Sequence, residues 1–367
     1  MFKNKRGASF NAVAWERASL IALCVVLTVV LVGLIFATTY VNYLLGLVNR
    51  VDGNIDETLS SEQMETATES LDPNYTGPVE NPEEVTLSTI PSDFGELDGN
   101  SDGIINILLV GQDRRDGEPR QRSDSMILCT FDTIDGDVTM TSFLRDTYVY
   151  IPGHGNRKLN AAYQYGGFAL LDETLMVNFG VDVDANVEVD FDGFIGIIDL
   201  IGGVDIYLSK NEANYMNKYK GFEYNKNEWW NLKEGVNHLN ADQALAYARI
   251  RKTSTSTGTR DDWGRTERQR TVLMAIIDAY KNQSLANMLA LVDDVLPLIT
   301  TDMTNSEIMT YVVRLFPMLA NAEFKTQHIP GHGYYTSKYF DRIGSSLVPD
   351  LEKIRELLAE TLYNNEE

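Results

Sequence analysis

Cysteine is almost absent: Cys24 and Cys129 are the two in 367 residues. Cys24 falls inside a long apolar run and Cys129 in a stretch of core-strand character, so they do not pair and no disulfide framework holds the chain. A folded region must then rest on its own hydrophobic core, which about 265 residues are enough to supply. Histidine is scarce too, with four residues, His154, His238, His328 and His332. The last two flank Ile329-Pro330-Gly331, cannot share a helix face, and make no zinc pair. There is no Gly-x-Ser-x-Gly elbow, no Walker loop and no Cys-His pair, which removes three common catalytic classes. Cations are outnumbered, 31 against 53 acids, and the formal net charge of -22 argues against a nucleic-acid partner.

Positive charge is missing altogether between Val51 and Asn100, where Asp, Glu, Pro, Ser and Thr are frequent. Low hydrophobicity with charge of one sign predicts a disordered, self-repelling tether. As flexible coil, about 50 residues span on the order of 40 Å. Within it, Asp98-Gly99-Asn100-Ser101-Asp102-Gly103 imitates half a calcium loop, but the closing acid position is Leu109.

The apolar residues collect upstream. Leu20 to Tyr40 is an uncharged run of the length that crosses a bilayer as a helix. Lys3, Lys5, Arg6 and Arg17 precede it against Glu16 alone, so the N-terminus is expected in the cytoplasm and the remainder outside. A cleaved signal would have a shorter apolar region and a small-residue site, which Ala37-Thr38-Thr39-Tyr40 matches poorly. The expected organisation is a cytoplasmic tail over 1–19, a transmembrane helix over 20–40, a juxtamembrane segment and acidic linker over 41–103, and one catalytic-size domain over 104–367.

That domain opens with Ile104 to Val110, a continuous apolar run ending at Gly111 and readable as a buried strand. Ser125 to Phe131 and Asp137 to Phe143 read as neighbouring strands joined at Asp135-Gly136. Helical spacing covers Asn160 to Tyr165, Phe168 to Phe179 and Phe191 to Leu200, the last stopped by Gly202-Gly203 before a strand Val204 to Leu208. A short strand is expected over Asn186 to Val189 and another over Phe324 to Ile329. Asn240 can cap a helix through Ala248, and a second begins near Arg265 and runs to about Tyr280. Further helices are expected over Leu285 to Leu298, Asn305 to Leu315 and Val348 to Leu362. Strands interspersed with helices predict an α/β fold, a single α-β-α layered domain with a central mixed sheet.

Charged clusters mark the strand ends. Asp113 follows one strand and Asp124 precedes the next, so the loop between them can bring both carboxylates to one sheet edge, where α/β sheets bind ligands. Two carboxylates with phosphate oxygens make a usual magnesium site; the alternative is that both are caps or surface partners of Arg114, Arg115 and Arg122. Arg145-Asp146 ends the third strand in the same manner, and Lys158 and Asn160 follow a Gly-rich turn. Arg249 and Arg251 point together only at an extended or fraying helix end. Arg265 and Gln269, four apart, share a helix face with Arg268 adjacent. Guanidinium forks suit pyrophosphate oxygens, while the alternative is a solvated arginine surface paired with Asp261, Asp262 and Glu267.

The segments Asn106 to Asp113, Arg122 to Met126, Phe143 to Thr147, Lys158 to Tyr163 and Arg265 to Gln269, in that order, resemble the LytR-CpsA-Psr family over roughly Ile104 to Ala320. The resemblance implies a membrane-anchored enzyme of Gram-positive cell walls. It would transfer a glycopolymer, such as teichoic acid or capsule, from undecaprenyl pyrophosphate to peptidoglycan and release undecaprenyl phosphate. Carried over by position, Asp113 and Asp124 are expected to hold Mg2+. Arg115, Arg122, Arg145, Lys158, Arg249, Arg251, Arg265 and Gln269 are expected on the pyrophosphate, and Asp146 to take the acceptor's proton. Lys252 to Arg260 departs from the family pattern as a Thr/Ser-rich insertion, read as a lid or as a tolerated loop. The competing readings are a polyprenyl pyrophosphatase, with water at the same site, and a non-catalytic lipid-binding regulator or transcriptional attenuator.

Overall fold

The computed structural model describes residues 42–43, 45–50, 75–81, 97, 103–112, 114, 120–219, 230–281 and 294–363. It divides into two units, 1–47 and 48–367. The expected span Leu20 to Tyr40 lies outside the described residues, and among those described no helix is long and apolar enough to cross a membrane.

In chain order the second unit runs β1 (Asn49–Arg50), β2 (Ile104–Gln112), β3 (Ser123–Asp132), β4 (Val138–Phe143), β5 (Tyr148–Ile151), β6 (Gly155–Lys158), α1 (Asn160–Phe179), β7 (Ala185–Val189) and α2 (Phe191–Leu200). It continues through β8 (Val204–Leu208), α3 (Lys210–Tyr219), β9 (Gly235–Leu239), α4 (Ala241–Ala248) and α5 (Asp261–Lys281). The last part is β10 (Thr300–Thr301), α6 (Asn305–Leu319), β11 (Phe324–Ile329), β12 (Tyr335–Phe340), β13 (Gly344–Pro349) and α7 (Leu351–Leu362). Seven strands form one mixed sheet in the order β1-β10-β7-β2-β3-β4-β11. Pairs β2/β7 and β4/β11 are parallel, and β3 is antiparallel to both neighbours. The expected α/β fold with a central mixed sheet is the one observed.

Alternating side chains divide the sheet into two buried faces. Leu108, Val110, Met126, Leu128 and Phe143 pack with α1 and α7 residues such as Leu171, Leu175 and Ile354. Ile105, Ile127, Cys129 and Met140 face the other way, against Leu315 of α6 and Leu273 and Met274 of α5. Leu108 lies directly opposite Leu128, both fully buried, so this pair sits where truncation to alanine costs about 2–5 kcal/mol per side chain. A third cluster joins α2, α3, α4, α5 and the β8-β9 pair around Ile198, Leu208, Ala244 and Val272.

Several boundaries follow local chemistry. Asn240 and Gln243 form a capping box that starts α4, and Asp190 caps α2 by accepting from Gly193 N. The two helical stretches expected on either side of Gly166-Gly167 are both present, the two arms of α1, separated by a kink at Gly167, whose φ of 64° is not helical. Arg120 donates to the Gln164 and Tyr165 carbonyls beside this kink, so the break docks the segment that precedes β3. Helix α5 starts at Asp261, four residues before the expected position. The strands β5, β6, β9, β12 and β13 and helix α3 carry no strong periodic signal and escape the sequence reading; Val348 and Pro349, expected to open the last helix, belong to β13, and that helix begins at Leu351. The expected helix Leu285 to Leu298 lies largely outside the described residues.

The acidic segment expected as a tether engages the domain at its described residues. Asn49 and Arg50 form β1 at one edge of the sheet, Lys338 Nζ meets Glu80 Oε2 at 2.7 Å, Tyr75 stacks on Tyr339, and Leu97 N donates to Gly180 O. Within the cation-free stretch 51–100, Glu80 finds its cation on the domain, in Lys338.

Burial pushes the Asp172 carboxyl on α1 up to about 7; Asn186 Nδ2 donates to it at 2.8 Å and opposes the shift, while Asp302 adds repulsion. Its folded pKa exceeds the ordinary 3.8, so its contribution to stability is complete below that value and lost as the pH rises through about 7. Asp172→Asn, which keeps the shape without the charge, is therefore expected to gain in melting temperature relative to the parent between pH 4 and pH 8. A constant difference across that range would show that Asp172 does not titrate there.

Candidate active site

Because β2, β4, β7 and β11 point the same way and β3 runs against them, the ends of β2 and β4 and the start of β3 share one edge of the sheet. Asp124 was expected just before β3 and lies inside it. Gly111 pairs with Ser125 and Gln112 with Ser123, so Asp124 is the extra residue of a β-bulge. A bulge turns a strand side chain out of its regular alternation, which is how Asp124 comes to face the residues beyond β4.

Those residues are Arg145 and Asp146, in a turn fixed by its surroundings: Leu144 N donates to Ile329 O of the neighbouring strand, and Thr147 Oγ1 donates to Leu144 O. Arg145 Nη1 meets Asp124 Oδ1 at 2.5 Å. Tyr148 pairs with Lys158 across the β5-β6 hairpin, which carries Lys158 Nζ to 3.0 Å from Asp146 Oδ1. The first turn of α5 brings Asp262, which lies 3.5 Å from Arg145 Nε and 3.3 Å from Arg265 Nη2. Arg251 follows the end of α4; its carbonyl accepts from Asp261 N, and its Nη2 reaches Asp262 Oδ1 at 2.9 Å.

Asp124, Arg145, Asp146, Lys158, Arg251 and Arg265 are thus brought together, with Gln269 one turn beyond Arg265 on α5. Arg122 is turned toward α1, donating from Nε to Gln164 Oε1 at 3.2 Å. Arg249 caps the end of α4 and lays its guanidinium 4.4 Å from the centre of the Phe191 ring, so the two arginines of Arg249-Ile250-Arg251 diverge. Asp113 and Arg115 lie outside the described residues. The insertion after Arg251 is a closed loop: Thr255 N donates to Thr259 O, and the Thr257 hydroxyl meets those of Thr255 and Thr259 and donates to the Glu267 carboxylate.

Sequence reasoning missed the role of Asp262, which appeared there only as a local counter-charge. It receives three arginines from three segments of the chain. The available signal was its position three residues before Arg265, on one face of a helix. Arg268, adjacent to the same motif, has a different place: fully buried, it pairs with Glu212 of α3 at 2.8 Å and donates to the Ile250 and Thr253 carbonyls.

Among the described residues of this cluster four cations, Arg145, Lys158, Arg251 and Arg265, face three carboxylates, Asp124, Asp146 and Asp262, an excess of one positive charge. Burial alone would lower the Arg145 pKa, but Asp124, Asp262 and Asp146 together hold it above the ordinary arginine value. Burial pulls Arg265 down, with Asp262 acting against it. For Asp146 burial acts upward, yet Lys158 and Arg145 prevail and hold its carboxyl below the ordinary 3.8. Arg145 Nε, Arg265 Nε and Gln269 Oε1 are buried without a hydrogen-bond partner among the described residues. Such atoms are costly unless a bound molecule serves them.

The LytR_cpsA_psr family profile matches residues 60–355, well over half of the chain. The chain belongs to the LytR_cpsA_psr family. The family match reaches beyond the motif-bearing region at both ends, into the acidic segment and to the C-terminal helix. Among the similar family proteins, TagU of Bacillus anthracis, a polyisoprenyl-teichoic acid–peptidoglycan teichoic acid transferase, is 33% identical over 267 residues, covering 71% of this chain and 79% of TagU. The solved structure of B. subtilis TagV superposes with a TM-score of 0.56 at 29% identity, covering 71% of this chain and 98% of that one. A structure of TagT bound to LI-WTA superposes with a TM-score of 0.55 at 25% identity, covering 71% and 92%.

Proposed function

We propose that this protein is a membrane-anchored phosphotransferase of the cell wall that moves a glycopolymer from undecaprenyl pyrophosphate to peptidoglycan. The observation that carries the proposal is the convergence of Arg145, Arg251 and Arg265 on Asp262. Three guanidiniums around one carboxylate are a clamp whose natural guest is an anion with more oxygens than a carboxylate has. A pyrophosphate would take over these contacts and serve the unpartnered Arg145 Nε and Arg265 Nε. The family relationship to a named polyisoprenyl-teichoic acid transferase favours a lipid-linked donor.

In the proposed reaction a hydroxyl of a wall sugar attacks the phosphorus that bears the polymer. A new P–O bond forms to the sugar, the bond to the bridging oxygen breaks, and undecaprenyl phosphate leaves with that oxygen. Phosphoryl transfer depends mainly on positioning and on neutralising charge, which the arginine fork geometry serves. Asp146, held ionised by Lys158 and Arg145, is our candidate for the hydroxyl proton. At its lowered pKa it is a weak base, so the proton moves late, after the new bond has begun to form.

Asp124 offers hard carboxylate oxygens and is aimed at the clamp by its bulge, which fits a magnesium ligand; Asp113 is its proposed partner. A magnesium ion held there would neutralise charge on the phosphate oxygens. The anchor is proposed to be the apolar segment Leu20 to Tyr40, with the domain on the wall side.

The test uses the full-length protein in detergent with a polyprenyl-pyrophosphate-linked saccharide and a glycan acceptor. Arg265→Lys keeps the charge and loses the fork, and is expected to slow phosphodiester formation at least about tenfold, with a milder loss for Gln269→Ala. Release of polyprenyl phosphate at the same rate without acceptor and without phosphodiester product would make the protein a pyrophosphatase. An Arg265→Lys protein with parental rates would remove the clamp role.

A further inference from the structure

Beside the clamp lies a group of aromatic rings that phosphate binding does not use. Trp263, the residue after Asp262 in the first turn of α5, stacks on His332 with ring centres 5.2 Å apart and on Tyr335 at 5.4 Å. The His332 and Tyr335 centres are 6.5 Å apart. Rings on opposite faces of one indole would be separated by nearly the sum of their two distances, so both partners sit toward one side and leave the other face of Trp263 uncovered by them.

Ordinary structural roles do not account for the indole. Trp263 is half-buried and belongs to none of the four hydrophobic clusters formed by the described residues. Its Nε1 has no hydrogen-bond partner among those residues, so no polar contact fixes the ring in place. His332 is exposed. A large aromatic that is neither core nor hydrogen-bonded, supported from one side by two further rings, is arranged as a platform.

Its location follows from the sheet. His332 stands in the short connection after β11 and Tyr335 ends that connection as the first residue of β12; β11 runs parallel to β4, whose end leads into Arg145. Both loops therefore leave the carboxyl edge of the same sheet side by side. On α5, successive residues are about 100° apart around the helix axis, so Trp263 faces the ground next to the clamp that Asp262 faces.

We propose that Trp263, supported by His332 and Tyr335, is the stacking platform for a pyranose ring of the saccharide handled at this site. The flat apolar C–H face of a hexose complements an aromatic ring, while its hydroxyls remain free for polar neighbours. This rests on the phosphotransferase reading, since both the polymer leaving the lipid and the wall glycan receiving it present such a ring near the reacting phosphorus.

The experiment titrates three probes into the full-length protein in detergent: chitotetraose as a free glycan, prenyl-pyrophosphoryl N-acetylglucosamine as a lipid-linked sugar, and geranylgeranyl pyrophosphate as a sugar-free lipid. Trp263→Ala is expected to weaken at least one sugar-bearing probe about tenfold, and Trp263→Phe to recover most of the loss. Loss on chitotetraose assigns the platform to the acceptor, and loss confined to the lipid-linked sugar assigns it to the donor. Unchanged affinity for both sugar-bearing probes, or an equal loss for the sugar-free lipid, overturns the platform. So does a parent protein that binds neither sugar-bearing probe. If the parent binds chitotetraose through Trp263 but not geranylgeranyl pyrophosphate, the platform stands and the lipid-donor reading fails. Should Trp263→Ala not fold, the exposed His332→Ala is expected to lose about threefold on the same probe, and no loss there overturns the proposal equally.

Discussion

Arg145→Met in the full-length protein is expected to lower glycopolymer transfer by about a thousandfold, as removal of a transition-state guanidinium does in other phosphoryl-transfer sites. Among the described residues, Arg145 is the one side chain that touches Asp124, Asp146 and Asp262 together. Without it Asp124 and the clamp lose their common cation. The same change should destabilise the fold by only roughly 1–3 kcal/mol, because the cluster is partly solvated and Lys158, Arg251 and Arg265 remain. Rate and melting temperature measured on the same preparations separate the two effects. A melting temperature that falls steeply while the surviving folded fraction turns over normally would make Arg145 a brace and not a member of the site.

The elements that were legible in the sequence were those whose burial is regular. Ile104 to Val110 forms a strand because every side chain in it must find one of two covered faces, and Asn240 starts a helix because its side chain answers a free backbone N–H. The start of α5 was hidden: its apolar positions begin near Val272, and Gly264 interrupts the first turns, so the helical pattern emerges only after the site residues have passed. Asp262, ahead of the expected helix start, therefore reads in the sequence only as a local acid beside the arginines. Position along the chain also misplaced Asp124, since a bulge inside a strand leaves no compositional trace. Lys158 and Asp146 are each candidates in the sequence, but their contact depends on the register of a short hairpin that has no apolar alternation to announce it.

The arginines were ambiguous for a related reason. In Arg265-Thr266-Glu267-Arg268-Gln269 two identical side chains stand three residues apart, and no sequence rule says which faces ligand and which faces protein. Arg265 is positioned by the clamp. Arg268 is positioned by α3, whose existence the polar run Lys210 to Tyr219 did not reveal. The distinction predicts opposite phenotypes.

Arg268→Met is expected to be the most destabilising single change in the motif, lowering stability by about 3–5 kcal/mol and the melting temperature by roughly 10 °C. Arg268 and Glu212 are fully buried, and removing the guanidinium strands both a carboxylate and the Ile250 and Thr253 carbonyls. Those carbonyls belong to the strand of chain that delivers Arg251, so transfer activity should fall with the fold and not ahead of it. Glu212 also accepts from Ser209 N and Oγ through its other oxygen, contacts that a glutamine oxygen can keep. The double variant Arg268→Met with Glu212→Gln no longer buries an unpaired charge and should recover more than half of the lost stability, a coupling that a double-mutant cycle measures directly. Additive losses in that cycle would mean that the pair is not what holds α3 to α5. A folded Arg268→Met protein with parental melting temperature and greatly reduced transfer would place Arg268 in the active site after all.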